Sequence, residues 1–322
     1  MRRVRYRSYG GPEVLQVEET DVPEPGPDQV RLRTEVIGAN FIDSKFRQGL
    51  GRRYGRPLPA ALTGDVVGTV DAVGFGGDPR PLGRRVAALT EDAFADYVLA
   101  DARWLATVPD GLDDGSATML PLAAPVALGV LRAGRFAAGE TVLVHAAAGG
   151  IGHVAVQLAR LLQAGRVIAL AGSPEKRDFA RAHGADIAID HSQDDWPDQV
   201  RAAAPAGVDV VLDSVGGEVT AQSLGLLGPY GRLVAYGVAA GQPADVPVQT
   251  LYALRSVTGF SLLAWRAARP KEVVSAVEEL TDHFQSGRLR TSVHTRLSLT
   301  EAAEVHRIFD ERAQLGRVLV VP

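Results

Sequence analysis

The sequence predicts an α/β protein in which a compact β-rich domain is followed by a doubly wound, mostly parallel sheet. Three observations carry this expectation. Residues 1 to about 110 hold short alternating or Val-rich runs broken by Gly and Pro, with little helical spacing. From about Asp113 the period changes, and strand-like and helix-like segments alternate with short connections. At the head of that alternation stands TVLVHAAAGGIGHVAVQLAR (141–160), which reads as an apolar β-branched strand, a small-residue turn and a helix.

The elements follow in order. Val14 to Glu18 and Val30 to Val36 alternate as strands on either side of the turn-rich VPEPGPDQ. Asp65 to Val73, Arg85 to Leu89 and Phe94 to Leu99 read as further strands, and the clearest helix in this part is Ile42 to Gln48. Two short helices are expected next, one opening after Asp113-Asp114 and the other after Pro125. Strands are then expected at 141–145, 166–170, 186–189, 208–212 and 231–235, and helices at 150–163, 174–183, 195–203 and 217–227. Alternation with short connections implies a parallel sheet covered by helices on both faces. Ser256 to Leu262 reads as a sixth strand, Lys271 to Phe284 and Glu301 to Arg312 as helices, and RVLVV as a closing strand.

Composition narrows the function classes. The chain has 322 residues, room for about two domains, and its 46% hydrophobic and 22% charged content is that of a folded protein. A net charge of −4 without a basic cluster speaks against a nucleic-acid partner. The most apolar region, Ala117 to Leu131, is interrupted by Pro121 and Pro125 and is too short to span a bilayer. No apolar segment backs the charges of MRRVRYRSYG, so the expected location is cytoplasmic. Cysteine is absent, which excludes disulfides, thiolate nucleophiles and cysteine-containing zinc sites. The seven histidines form no HxxxH pair, and no metal is expected.

Strand, glycine-rich turn and helix together are the context of a dinucleotide-binding fingerprint, with turn amides and a helix N-terminus facing a pyrophosphate. Gly149, Gly150 and Gly152 supply glycines, but Ala147 stands where the first glycine of G-x-G-x-x-G belongs. A plain βα turn reads the same way, so the second strand decides. An enzyme that uses NAD places an acid there, about 20 residues on, for the ribose hydroxyls. Here the strand runs into Ala171-Gly172-Ser173-Pro174-Glu175-Lys176-Arg177, with no acid at its end. Ser173 is placed to cap a helix with Pro174 in its first turn, and Lys176 and Arg177 follow. A hydroxyl, a helix N-terminus and two cations suit a 2′-phosphate, which favours NADP(H) over NAD(H). The local alternative is a capped helix with a solvated basic pair. With three lysines among 34 basic residues, a lysine at this place is informative. Asp213-Ser214-Val215-Gly216 and Tyr236-Gly237-Val238 end the fourth and fifth strands, where such sheets bind ligands.

The chain resembles the zinc-independent quinone oxidoreductases of the medium-chain dehydrogenase/reductase superfamily along nearly its whole length. The matching segments are GANFIDSKFRQG (38–49), LTGDVVGTVDAVG (62–74), AFADYVLA (93–100), LVHAAAGGIGHVAVQLAR (143–160), GSPEKR (172–177), VDVVLDSVG (208–216) and LLGPYGRLVAYG (226–237). The resemblance implies a GroES-like catalytic and substrate domain from residues 1–122 and 263–322, a Rossmann NADP(H)-binding domain from 123–262, and an active site in the cleft. It implies Asn40 beside the nicotinamide and ribose, Gly149, Gly150 and Ile151 at the pyrophosphate, and Gly172, Ser173 and Lys176 at the adenosine phosphate. His191 stands where relatives often have Tyr, and Val126 where many carry Thr near the nicotinamide. Ser214, Gly237, Val238, Phe260, Leu262 and Arg317 complete the implied cofactor surface. The counterpart of the Gly-His-Glu segment of zinc alcohol dehydrogenases reads Gly64-Asp65-Val66, against zinc-dependent alcohol oxidation.

The activity expected is hydride transfer from NADPH to a quinone or an α,β-unsaturated carbonyl compound, with the cofactor carrying the chemistry. Asn40 or a backbone amide near Phe260 would meet the developing oxyanion. Water, Tyr54, Asp43 or Asp65 would deliver the proton, and for the two aspartates capping or turn stabilisation is the local alternative. A stand-alone enoyl-thioester reductase is a second reading, because polyketide-synthase enoyl reductase domains share the HAAAGG loop. A non-catalytic NADPH-binding sensor or structural protein is a third. By resemblance the Ser256–Leu262 strand pairs across a two-fold axis into a homodimer.

Overall fold

A computed structural model describes residues 1–50 and 55–322. The chain forms two compact units, residues 1–122 with 274–322, and residues 123–273.

The first unit opens with β1 (Arg2–Tyr6), which pairs antiparallel with β2 (Leu15–Glu19). No element was expected at β1, because Arg2, Arg3 and Arg5 obscure its alternation; they are paired with Asp96, Glu18 and Asp92 at 2.9, 2.8 and 2.6 Å. The long β3 (Gln29–Ala39) leads into α1 (Ile42–Gln48), which ends at Gly49 in the left-handed region, φ 63°. Only glycine takes that conformation without strain. There follow β4 (Ala60–Ala61), β5 (Gly64–Val73), β6 (Arg85–Thr90), β7 (Tyr97–Asp101), β8 (Ala106–Thr107) and the single turn α2 (Asp114–Ala117), whose N-cap is the Asp113 side chain. The strand expected at Phe94–Leu99 thus lies three residues later, because residues 93–96 form a bend and an isolated bridge to β1.

The second unit begins with α3 (Ala123–Ala133). Its start precedes Pro125, against the expectation, because first-turn amides have no intrahelical partner and a proline there forfeits nothing. Alternation then runs through β9 (Thr141–Val144), α4 (Gly152–Leu161), β10 (Arg166–Leu170), α5 (Pro174–Ala182), β11 (Ile187–Ile189), α6 (Trp196–Ala203), β12 (Val208–Asp213), α7 (Gly217–Leu224), β13 (Leu227–Ala235) and β14 (Ser256–Gly259). All five pairings are parallel, in the order β11-β10-β9-β12-β13-β14. The order reverses direction at β9, so right-handed crossovers lay helices on opposite faces: the sheet is doubly wound. Val142, Leu143, Val167, Ile168, Val210, Val211 and Leu233 are fully buried, as strands covered on both sides must be. The sixth strand is shorter than expected. It stops at Gly259, and Leu262 instead opens α8 (Leu262–Ala268) behind the Ser261 cap.

Helix α9 (Pro270–Gln285) carries the chain back into the first unit, where β15 (Val293–Ser298), α10 (Ala302–Asp310) and β16 (Arg317–Val321) follow. The larger sheet there has the order β15-β16-β3-β5-β6-β8, with β7 also on β3. Its core joins both ends of the chain, packing Leu32, Ile37, Val66 and Phe94 with Val305, Phe309, Val318 and Val320. The architecture is a GroES-like unit plus a Rossmann unit.

Candidate functional site

The glycine turn lies between β9 and α4. Ala146 takes the left-handed conformation, φ 49°, and its carbonyl accepts from the Gly149 amide at 2.9 Å. Ala147, at the first-glycine position, is fully buried, and its amide donates to Leu170 O of β10. A Cβ on Gly152 would overlap the Ala146 carbonyl oxygen and stand 2.8 Å from the Ala147 Cα. Glycine at 152 therefore lets α4 start directly against the turn, with the Gly149 and Ile151 carbonyls already accepting from His153 and Ala155. The helix's first amides are left for an anion.

At the end of β10 no carboxylate is present between Leu170 and Ser173. The Ser173 hydroxyl accepts from the Lys176 amide at 3.2 Å, capping α5 and leaving its own hydrogen to donate. Arg177 is already engaged: its guanidinium meets Asp190 at 2.6 Å, both side chains 20% exposed. His191 lies beside Gly172, where a Cβ would stand 3.3 Å from its Cε1 and Nε2. The Ser173 hydroxyl, the first amides of α5 and the His191 imidazole, with Lys176 in the first turn of the helix and the Asp190 carboxylate already paired with Arg177, make a donor set that suits a phosphate. Asp190, the partner of Arg177, escaped the sequence reading; its place just after the third strand, next to His191, was the available signal.

The ends of β12 and β13 also converge. Asp213 is fully buried and accepts from the Val215 and Gly216 amides at 2.7 and 3.2 Å and from the Thr220 hydroxyl. That shapes the turn carrying Ser214. A Cβ on Gly237 would come within 2.7 Å of the Ser214 carbonyl oxygen, and one on Gly216 within 3.2 Å of Val238 Cγ1. Ser214, Gly237 and Val238 are thus one cluster. His145, at the end of β9, bonds Ser223 at 2.8 Å, and burial lowers its pKa, keeping it neutral. Farther along the sheet, the Phe260 amide donates to Ala235 O, and the Phe260 ring packs where Gly129 lacks a side chain. Val126 lies one turn earlier on the same helix and is buried, as is Leu262.

In the first unit, three expected site residues form one buried group. Arg317, 3% exposed, donates to Asn40 Oδ1 at 2.9 Å, Ala39 O at 3.2 Å, Thr118 O at 3.1 Å and the Asp65 carboxylate. Asn40 Nδ2 donates to Asp65 Oδ2 at 3.2 Å. Asp43 stands apart from this group. Its oxygens accept from the Thr63 amide at 2.7 Å and hydroxyl at 2.8 Å, and burial raises its pKa to about 7. Tyr54 lies outside the described residues. Among the described residues no three His, Cys, Asp or Glu side chains are grouped as metal ligands, and no helix is long and apolar enough to cross a membrane.

Comparison with known proteins agrees with this architecture. Residues 26–110 match the alcohol dehydrogenase GroES-like domain, and residues 150–281 match the zinc-binding dehydrogenase domain. The quinone oxidoreductase of Pseudomonas aeruginosa is 35% identical over 333 residues, covering 100% of this chain and 99% of that protein. The chain belongs to the quinone oxidoreductase family of the medium-chain dehydrogenase/reductase superfamily. Another relative, a Burkholderia 2-haloacrylate reductase, is 34% identical across 97% of this chain and 96% of its own length. The Escherichia coli quinone oxidoreductase, solved in complex with NADPH, superposes with a TM-score of 0.91 at 30% identity, covering 100% of both chains. The chain is thus an oxidoreductase by family.

Proposed function

We propose that this chain is an NADPH-dependent, zinc-independent reductase that delivers hydride to a quinone or an α,β-unsaturated carbonyl compound. The observation that carries the cofactor assignment is the acid-free end of β10, followed at once by the Ser173 cap of α5 and Lys176 in the first turn of that helix, a combination that supports a 2′-phosphate there. When bound, NADPH supplies the hydride. Gly150, Ile151 and Gly152 hold the pyrophosphate on backbone amides, while Gly149, whose own amide closes the turn onto Ala146, leaves room for its approach. Gly172, Ser173, Lys176 and His191 hold the adenosine phosphate, and Ser214, Gly237 and Val238 support the rest of the nucleotide. Asn40 donates a hydrogen bond to the oxygen that gains negative charge. The proton comes from water or from Tyr54, since Asp43 accepts two bonds from Thr63 and Asp65 is engaged by Arg317 and Asn40. Engagement of Asp65 by a guanidinium, in a chain without cysteine, supports a reaction that needs no metal.

The test is NADPH oxidation with a simple benzoquinone, a short enone and a crotonyl thioester, each with and without a strong chelator. Turnover of quinone or enone, unaffected by chelator, is the expected result. Preference for the thioester would transfer the chain to the enoyl-thioester reductases. An NADPH-dependent rise in Tm with no turnover of any of them would leave a nucleotide-binding protein.

We also propose a homodimer. Strand β14 ends the six-stranded order, and Tyr230, Tyr252 and Leu254, at that end of the sheet, are 72%, 75% and 55% exposed. An edge strand with apolar surroundings invites pairing with a second copy. Light scattering should read two chains, and a single-chain mass would remove the proposal.

A further inference from the structure

We infer that Arg317 and Asp65 are positioning residues that lock the Asn40 carboxamide in one orientation, as a hydrogen-bond donor and not an acceptor. The inference rests on the reductase reading above and assigns Arg317 a role other than cofactor contact. Arginine carries only donors and a carboxylate only acceptors. Arg317 bonds the Asn40 oxygen at 2.9 Å, and Asp65 accepts from the Asn40 nitrogen at 3.2 Å. Flipping the amide would set nitrogen against guanidinium and oxygen against carboxylate, losing both bonds.

The sequence builds this clamp across three neighbouring strands. Asn40 follows the end of β3, Asp65 lies on β5 opposite Gly38, and Arg317 opens β16, whose Leu319 pairs with Gly38. Gly38 makes the arrangement possible, because a Cβ there would overlap the Arg317 guanidinium. The two hydrogens on Nη1 go to Ala39 O and Asn40 Oδ1, and the two on Nη2 go to Asp65 and Thr118 O. The remaining Nε hydrogen is buried. Arg317 therefore has no terminal hydrogen left for a phosphate or ribose.

Buried ion pairs are a poor route to stability, since desolvation offsets their attraction. A fixed orientation is what this one supplies. Asn40 has two amide hydrogens, and one is committed to Asp65. The other is what it presents to a ligand, so the site matches an oxygen acceptor such as a quinone or enone carbonyl and not a donor.

A double-mutant cycle in the full-length protein tests this, reading kcat with a quinone and the NADPH Kd from fluorescence. Asn40→Ala should lower kcat by about a hundredfold to a thousandfold, the range of a lost oxyanion donor, with Kd changed less than about threefold. Asp65→Asn keeps the shape of the clamp but allows Asn40 to flip, and Arg317→Lys removes the fork that grips it. Each should lower kcat about tenfold at near-constant Kd. In the Asn40→Ala background both should have almost no further effect, because their influence passes through Asn40. Asp65→Asn serves as the second variant if Arg317→Lys fails to fold. Additive losses, or a rise in Kd above tenfold with kcat retained, would overturn the inference while leaving the reductase reading intact. A wild-type chain that turns over no quinone or enone would overturn both.

Discussion

Gly152 and Ala146 touch so closely that a single methyl group on Gly152 would overlap the Ala146 carbonyl oxygen. The obstacle is backbone on both counts, since Ala147 Cα lies 2.8 Å away. Neither can move without opening the turn that presents the first amides of α4. Gly152→Ala is expected to cost about 1–3 kcal/mol, as overpacking does, and to weaken NADPH. The urea midpoint and an NADPH titration check this, and two unchanged values would show that the turn yields freely.

Lys176 and Arg177 are adjacent but not equivalent. Arg177 is paired with Asp190 at 2.6 Å, whereas Lys176 lies in the first turn of α5, its amide donating to the Ser173 cap. Lys176→Ala should weaken NADPH by tenfold or more, matching about 1.5–3 kcal/mol for a charge-assisted bond, and leave NADH nearly unchanged. Arg177→Ala should have a much smaller effect on both. Equal losses of NADPH and NADH on removing Lys176 would rule out the 2′-phosphate assignment.

Asp43 makes stability depend on pH in an unusual sense. Burial raises its pKa from 3.8 to about 7, and the Thr63 bonds offset only part of that shift. The folded state therefore holds the proton more tightly than the unfolded state. The stabilisation is fully present below about pH 4 and is lost as pH rises through 7. Asp43→Asn can still accept from the Thr63 amide and donate to its hydroxyl. Its stability relative to wild type should improve between pH 4 and 7, by at most about 1.4 kcal/mol per unit. Parallel denaturation curves for the two proteins across that range would show that Asp43 titrates normally.

Much of the Rossmann unit was legible because its signals are local. The period change near Asp113 and the run at 166–170 located four of the strands to within a residue or two, since buried parallel strands are uninterrupted apolar runs, whereas β13 starts at Leu227, four residues before the expected 231 and inside the helix expected to reach 227. Strand β1 was not legible, because its arginines carry the alternation and their acidic partners lie up to 94 residues away. The glycine turn showed its composition but not its mechanics, since the positive φ within it falls on Ala146 and on none of Gly149, Gly150 and Gly152. The Asn40–Asp65–Arg317 group left no trace as a group. Each residue was nameable, but nothing in a linear pattern says that Arg317 spends its terminal donors inside the protein. Contacts across 252 residues leave no periodicity to read.

That separation also orders events in time. Asp65 is synthesised long before Arg317, and until β16 docks the Asn40 amide lacks the guanidinium that fixes its oxygen. Closing so long a loop is slow compared with local pairing. A partly folded chain could thus bind nucleotide through its central unit while lacking an oriented donor, and refolding would restore cofactor affinity before turnover.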